Sequence, residues 1–455
     1  MKILITGAGG WIGQSLSRKL FLEGHDLVVS SRNPRKLGSS LEVPCEAFAW
    51  DPMKGLAPPE MLRGVDAVIH LAGEPIAASR WTSGQKKKIL ESRQIGTRNL
   101  VKSLAKMPQK PKVLISASAI GYYGNSSQEL DETGPNGKGF LAEVCQAWES
   151  EALALFDQIR TVVVRTGVVL HPSGGALEKM LPAFDARVGG ILGSGQQWMS
   201  WIHLDDLVSI YLKALMDEEI SGPVNGTAPE PVQNSAFTNL LAKQLRVPAF
   251  LSAPSVALKA AFGEMSQVLL EGQKVVPKML EAHGFSFRYP ALKDALEDFF
   301  PSSDEAGVRR FSAAQFFLKP VGEVFRFFCS QKNLEGVMPP SLHLKLSTMS
   351  TSELQESTRV EYQLKVHGLP VKWVSEIRNW VPEKSFKDVQ LKGPYSVWEH
   401  EHVFEEVRGG TLVRDRIRWK APGGPLRAFV SPLVSSDLKK IFAERKIRIA
   451  EMLAR

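Results

Sequence analysis

A doubly wound α/β protein with a parallel sheet, followed by a separate α+β domain, is the fold class this sequence predicts. Three observations predict it. Short apolar runs of β type alternate with stretches of helical periodicity over residues 1–230. A glycine-rich turn, "TGAGGWIG", joins the first run to the first helical stretch. After "FFPSSDEAG" the pattern changes to period-2 alternation broken by turns such as "VHGLP", "LKGP" and "VRGGT".

Residues 2–6 (KILIT) predict the first strand, and "QSLSRKLFLEGH" predicts the helix behind the glycine turn. "DLVVSSR" predicts the second strand. "DAVIHLAG" (66–73), "KVLISASA" (112–119) and "RTVVVRTGVVL" (160–170) predict later ones. Between them "SGQKKKILESRQIGTRNLVKSLAKM" and "FLAEVCQAWESEALALF" have helical spacing. Strands joined through helices lie parallel, because the crossover returns the chain to the same end of the sheet. Residues 231–300 turn more helical, as a small lobe closing over a nucleotide fold would. Residues 305–455 predict an antiparallel sheet and a terminal amphipathic helix, with Leu438, Ile441, Phe442, Ile449 and Met452 available to one face. The expected domains are therefore 1–230, 231–300 and 305–455.

A chain of 455 residues, 44% hydrophobic and 23% charged, has room for two or three ordinary globular cores. Its apolar runs are too short to cross a bilayer, which excludes integral membrane contact. "MKILITGAGG" reaches turn residues too soon for a signal peptide and fits a first strand. Cys45, Cys145 and Cys329 are far apart and odd in number, which argues for a reducing, cytoplasmic setting. The net charge of +8 sits mostly in residues 301–455, with 25 Lys and Arg against 18 Asp and Glu. There the signs alternate ("EEVRGGTLVRDRIRWK"), the mark of a solvated sheet face and not of a nucleic-acid stripe.

Gly7, Gly10 and Gly13 stand at the spacing of a dinucleotide-binding turn, with Trp11 and Ile12 opening the helix behind it. Such glycines permit the tight turn, the approach of backbone to a pyrophosphate, and close helix–strand packing. About 20 residues on, a carboxylate would select NAD by binding the ribose hydroxyl. Here the second strand ends in Ser30, Ser31 and Arg32, followed by Arg35 and Lys36, so the expected cofactor is NADP(H). Asp51 in "WDP" and Leu71, Ala72 and Gly73 in "HLAGEPI" follow later strands at the edge where adenine and ribose would lie.

Together these segments resemble the short-chain dehydrogenase/reductase superfamily in its extended, epimerase-like form, a Rossmann-type fold. Residues 1–300 resemble the atypical branch labelled "epimerase family protein", through "ITGAGGWIG", "HLAGEPI", "RWTSGQKKKILESR", "SASAIGYYG", "GFLAEVCQAWE", "RTGVVL", "QWMSWIHLDDL" and "GPVNGTAPEPV". "LLEGQKVVPKMLEAHGFSFRYPALKDAL" is similar to that branch's C-terminal extension. Residues 305–455 resemble the START-like, helix-grip superfamily, which implies an apolar cavity between sheet and helix.

In active members of the superfamily a Ser polarises a carbonyl, a Tyr exchanges its proton, and a Lys lowers the Tyr pKa and holds the nicotinamide ribose. The resemblance puts Ser118 at the serine position. It aligns Glu149 with an acidic residue downstream of the Lys, which leaves Leu141 and Cys145 at the Tyr and Lys positions. Neither supplies the acid or the cation. Tyr122, Tyr123 and Glu74 are the substitutes nearby, although aromatic residues in such a place also serve packing or stacking. Lys179 and His203 fall in segments that line the substrate cleft of extended relatives; His203 alone fits a structural, hydrogen-bonded histidine better than a base. Cys145 fits a small buried apolar residue. His400 and His402 share a strand face with Trp398 and Phe404; without a third ligand at matching spacing they fit pocket or surface residues and not a metal site.

The leading expectation is an NADP(H)-dependent oxidoreductase or epimerase acting on a small molecule, with Ser118 polarising it. The alternative is a catalytically silent NADP(H)-binding sensor whose second domain takes an apolar ligand. A third is delivery, in which that domain carries an apolar substrate to the reductase site.

Overall fold

The computed structural model describes residues 1–422 and 427–453. They fall into two compact units, Met1–Phe184 with Val188–Pro301, and Asp185–Arg187 with Ser302–Arg455.

The first unit is organised around a seven-stranded parallel sheet. Its strands are β1 (Lys2–Thr6), β2 (Asp26–Ser31), β3 (Glu46–Ala49), β4 (Ala67–His70), β5 (Val113–Ala119), β6 (Arg160–Thr166) and β7 (Gly222–Gly226). Ile3, Leu4 and Ile5 of β1 and Val162, Val163 and Val164 of β6 are fully buried. These runs are continuous and not alternating because helices cover both faces of a doubly wound sheet. Among those helices are α1 (Trp11–Leu22), α2 (Ser83–Ala105), α3 (Phe140–Ala152) and α4 (Leu204–Met216).

The strand order is β7-β6-β5-β4-β1-β2-β3. From β1 the chain winds one way to β2 and β3, then returns to lay β4 on the other side of β1. This reversal opens a crevice at the carboxyl ends of β1 and β4, where ligands of such sheets bind. Thr6 and His70 end the two strands in register. Thr6 Oγ1 lies 2.6 Å from His70 Nδ1, and His70 Nε2 lies 3.0 Å from Thr97 Oγ1 in α2. Burial holds the imidazole down to about 4, so a neutral ring bridges two hydroxyls beneath the crevice.

"RTVVVRTGVVL" is not one strand. β6 stops at Thr166, and Val168–His171 leaves the sheet to pair with Trp201–His203. Gly167 marks the break, since a Cβ there would stand 2.6 Å from the Ser200 carbonyl oxygen. Helices at Asn234–Leu245, Ser255–Phe262 and Leu292–Phe299 occupy the later part of the unit.

The second unit is a seven-stranded antiparallel sheet with a long helix. Its strands are β8 (Arg309–Phe317), β9 (Lys345–Met349), β10 (Arg359–Val366), β11 (Leu369–Val381), β12 (Ser385–Lys392), β13 (Val397–Val407) and β14 (Gly410–Lys420), in the order β8-β14-β13-β12-β11-β10-β9. Helix α5 (Arg427–Leu453) buries Val434, Leu438 and Phe442 with Ala313 of β8 and with Ile417 and Trp419 of β14. Ile449, farther along α5, joins a second cluster with Phe325, Phe386 and Phe404. A further helix, Val321–Cys329, is held by Val324, Phe325 and Cys329 on its buried side. Among the described residues no helix is long and apolar enough to cross a membrane.

Candidate functional site

The glycine turn sits at the carboxyl end of β1. Gly7 has φ 76°, a backbone region that side chains disfavour. A Cβ on Gly7 would lie 2.8 Å from the Leu71 carbonyl carbon and 2.9 Å from Ala72 N. The turn and the loop after β4 are therefore in backbone contact across the crevice. Gly13 is closer still to its neighbours, since a Cβ there would come within 2.5 Å of Gly7 O. Gly10 N donates to Gly7 O at 3.0 Å, and Gly10 is the N-cap of α1 without any side-chain cap. The first N–H groups of α1 thus stay open to an anion. Ile12 is half-buried, and so is Trp11, whose ring lies against Gly174 and Gly175. Trp11 therefore belongs to the packing that seats the turn.

At the end of β2, Ser31 Oγ accepts from Asn33 N at 3.0 Å, and Asn33 Oδ1 in turn caps the next helix by accepting from Lys36 N at 3.1 Å. Arg32, Arg35 and Lys36 are all exposed. Asp51, beyond β3, accepts from Met53 N at 3.1 Å, which shapes its own turn. Gly73 is open to solvent on the loop beyond Ala72, and a Cβ there would meet the Arg93 guanidinium carbon at 3.1 Å.

The expected chemical group is organised differently from the superfamily pattern. Ser118 is 3% exposed, and its hydroxyl donates to Glu149 Oε1 at 2.6 Å. Glu149 also takes two hydrogen bonds from Arg165, Nε to Oε1 at 3.0 Å and Nη2 to Oε2 at 2.9 Å. Burial opposes the charge on Arg165, and Glu149 more than offsets it, so the guanidinium stays protonated. Arg165 Nη1 donates to Tyr123 Oη at 2.9 Å, and that hydroxyl donates to Asn225 Oδ1 at 2.7 Å. Burial pushes the Tyr123 phenol up to about 12. Ser118 and Tyr123 are therefore both engaged in one buried network spanning β5, α3, β6 and β7. In this arrangement the Ser118 hydrogen is not offered to a substrate carbonyl.

Leu141 and Cys145 lie one turn apart on α3 and both face Gly121. A Cβ on Gly121 would stand 3.2 Å from Leu141 Cβ and 3.7 Å from Cys145 Sγ. Burial pushes the Cys145 thiol up to about 11, which makes it a packing residue and not a nucleophile. A cation does reach this neighbourhood, from α2. Arg93 donates from Nη1 to the carbonyl oxygens of Glu74 (2.9 Å) and Ile89 (3.1 Å), and its guanidinium lies 4.9 Å from the Trp148 ring centroid. Glu74 itself is half-buried, and Gln85 Nε2 lies 3.4 Å from its Oε1. Tyr122 is half-buried with the Arg165 guanidinium 3.6 Å above its ring, and none of the described residues hydrogen-bonds its hydroxyl.

His203 is structural. Its Nδ1 accepts from Asp205 N at 3.0 Å, capping α4, and its ring stacks between Tyr289 and Phe299. Lys179 is exposed and reaches the Ala77 carbonyl at 3.3 Å. Sequence reasoning missed Arg165 and Arg93. Arg165 interrupts the apolar run "VVVRT", and a charge in such a run requires an opposite charge nearby, which was the available signal.

In the second unit, His400 and His402 of β13 line a cavity of about 430 Å³. They have a third neighbour that the sequence pattern did not reveal. Asp415 Oδ1 lies 2.8 Å from His400 Nε2 and 2.9 Å from His402 Nδ1.

Comparison with known proteins bears on the first unit. Residues 3–225 match the model of the NAD dependent epimerase/dehydratase family, and residues 253–299 match a domain of unknown function, DUF1731. The chain is 41% identical over 305 residues to "Epimerase family protein SDR39U1 homolog, chloroplastic" of Arabidopsis thaliana, covering 65% of this chain and 86% of that protein. It is 40% identical over 298 residues to "Epimerase family protein MT2273" of Mycobacterium tuberculosis, covering 65% and 96%. The crystal structure of human epimerase family protein SDR39U1 (isoform 2) with NADPH superposes with a TM-score of 0.60 at 36% identity, covering 66% of this chain and all of that one. With its parallel sheet, its glycine turn and these relatives, the chain belongs to the NAD dependent epimerase/dehydratase family, in the branch whose members are called epimerase family proteins.

Proposed function

We propose that the first unit binds NADP(H) and acts as an atypical oxidoreductase or epimerase on a small, apolar molecule. The observation that carries this reading is the pairing of the Gly7–Gly13 cradle with a β2 end that presents Arg32 and no carboxylate. The cradle and the open N–H groups of α1 fit a pyrophosphate, and Arg32, with Arg35 and Lys36 beside it, fits a ribose phosphate. The human relative solved with NADPH supports the same choice. Once bound, the nicotinamide supplies the hydride acceptor or donor.

The chain's own part is to hold, orient and protonate. Ser118 and Tyr123 position the carboxyl ends of β5 and β6 through Glu149 and Arg165. Tyr122 and Glu74 are the groups left to move a proton, because the network does not engage the Tyr122 hydroxyl or the Glu74 carboxylate. Arg93 fixes the loop after β4 and brings a positive charge to the neighbourhood of Cys145. The second unit, START-like in its sheet and terminal helix, holds an apolar ligand. The free thiols at Cys45, Cys145 and Cys329 suit a reducing compartment.

The test is calorimetry of the full chain with NADPH and NADH, followed by hydride transfer to a panel of apolar ketones and quinones. Tighter NADPH binding with turnover lost in Tyr122→Phe or Glu74→Gln is the expected result. Equal affinity for both cofactors would refute the NADP(H) assignment. One observation favours a second reading, a silent NADP(H)-binding protein: the serine and one tyrosine of the expected site are already engaged. Tight NADPH binding without turnover on any member of the panel would select it.

A further inference from the structure

The cavity of the second unit has aromatic walls and a polar floor. Phe328, Tyr395, Trp398 and Phe442 are among its walls, and flat faces of this kind favour ring-bearing ligands. Its volume of about 430 Å³ is that of a small-molecule site. Among the described residues, Asp388 Oδ1, Trp373 Nε1 and Arg445 Nε of the floor are buried and find no hydrogen-bond partner. All three residues line the cavity. A buried polar atom left unpaired is costly, so a cavity with several such atoms favours a molecule that pairs with them.

Charge decides what kind of molecule. An anion in the cavity would meet one guanidinium in the floor, Arg445, beside the Asp388 carboxyl, while Asp415 stands outside the lining. That guanidinium is already turned to Asp415, with Nη1 3.5 Å from Oδ1. At the mouth, Lys365 and Lys440 are matched by Asp437 and Glu444. Burial raises the Asp388 pKa, toward a neutral carboxyl that both donates and accepts. Although burial opposes it, Arg445 and the two histidines hold Asp415 well below the usual carboxylate range. A metal is disfavoured by the same geometry. His400, His402 and Arg445 converge on the single oxygen Oδ1 of Asp415, so a divalent cation there would sit against a guanidinium.

We propose that this cavity binds an uncharged, ring-bearing apolar molecule through hydrogen-bonding oxygens that pair with Asp388 and Trp373. The inference rests on the reading of the second unit as an apolar-ligand domain and adds the ligand's charge and polar chemistry. The test is equilibrium dialysis of the full chain against a decyl-substituted benzoquinone, decanol and decanoate. The quinone is expected to bind most tightly, and decanoate at least about ten-fold more weakly than the quinone. Asp388→Leu should weaken quinone binding about ten-fold, while the isosteric Asp388→Asn, which keeps a hydrogen-bonding floor, should bind nearly as wild type. Leu438→Trp, which fills the cavity, should abolish binding of all three. Decanoate binding as tightly as the quinone, or quinone binding indifferent to Asp388→Leu, would overturn the uncharged-ligand inference and leave an apolar-ligand domain standing. Binding of none of the three would overturn the domain reading itself. Stoichiometric Zn²⁺ binding lost in His402→Ala would overturn the floor as a ligand site and make it a metal centre.

Discussion

Ser118 and Glu149 are joined by a hydrogen bond of 2.6 Å in which the serine is the donor. An acceptor that is ionised, buried and shared with Arg165 makes this bond worth about 1.5–3 kcal/mol. Ser118→Ala is expected to lower the free energy of unfolding by that amount in urea titrations and to leave NADPH affinity unchanged. Glu149→Gln should cost more, about 3–5 kcal/mol, because it strands the Arg165 charge in the interior. A Ser118→Ala protein of wild-type stability that no longer turns over substrate would return the serine to a catalytic role.

The glycines of the turn should separate folding from binding. Gly13→Ala forces a Cβ to 2.5 Å from Gly7 O, so it is expected to destabilise the first unit by about 1–3 kcal/mol. At Gly10 the nearest atom to an added Cβ is 3.4 Å away, an ordinary contact. Gly10→Ala should therefore melt like the wild type while losing NADPH affinity, measured by thermal denaturation with and without cofactor. Unchanged affinity would place the pyrophosphate elsewhere.

Arg32 should set the preference between cofactors. A charge-assisted contact to a phosphate contributes about 1.5–3 kcal/mol, or about ten- to a hundred-fold in affinity. Arg32→Ala is expected to weaken NADPH by that factor and to leave NADH alone, by calorimetry. A variant that loses both equally would mean that Arg32 acts on the fold of the loop.

His70 should give the first unit an acid-sensitive stability. Its native pKa is held down to about 4, against about 6.5 for a histidine in an unfolded chain. Below pH about 6.5 the unfolded state takes up a proton that the native state refuses, so stability is whole above that pH and falls as pH drops towards about 4. The loss over the window is on the order of 3 kcal/mol. His70→Gln, which keeps hydrogen-bonding groups between Thr6 and Thr97, should flatten this part of the profile of unfolding free energy against pH. A slope equal to the wild type's would assign the effect to other groups.

The glycine turn was legible in the sequence because its requirements are local: Gly7, Gly10 and Gly13 lie within one strand–turn–helix step. The Ser118 network was not, since Glu149 and Arg165 come from two other elements and meet Ser118 only after the sheet has assembled. Gly167 was read through, because nothing near it in the sequence reveals the Ser200 carbonyl that forbids a side chain there. Asp415 is an intermediate case. The hairpin turn between Val407 and Gly410 sets His402 opposite Asp415. Counting outward from "VRGGT" would have paired them, had the turn length been known.

The pairing of β8 with β14 has a consequence for how the second unit is made. Arg309 finds its partner in Trp419, about a hundred residues later in the chain. As the polypeptide emerges from the ribosome, β8 waits with open backbone groups while six further strands are synthesised. Long-range closure of this kind is entropically slow, and an unpaired strand is a template for aggregation in the interval. The antiparallel neighbours from β10 to β14 can zip up as each arrives, so the last hairpin captures the waiting strand and completes the sheet. The cavity comes later still, because Leu438, Phe442 and Arg445 follow every strand in the order of synthesis. A nascent chain therefore has no cavity to fill, and any ligand must be loaded after translation has passed α5.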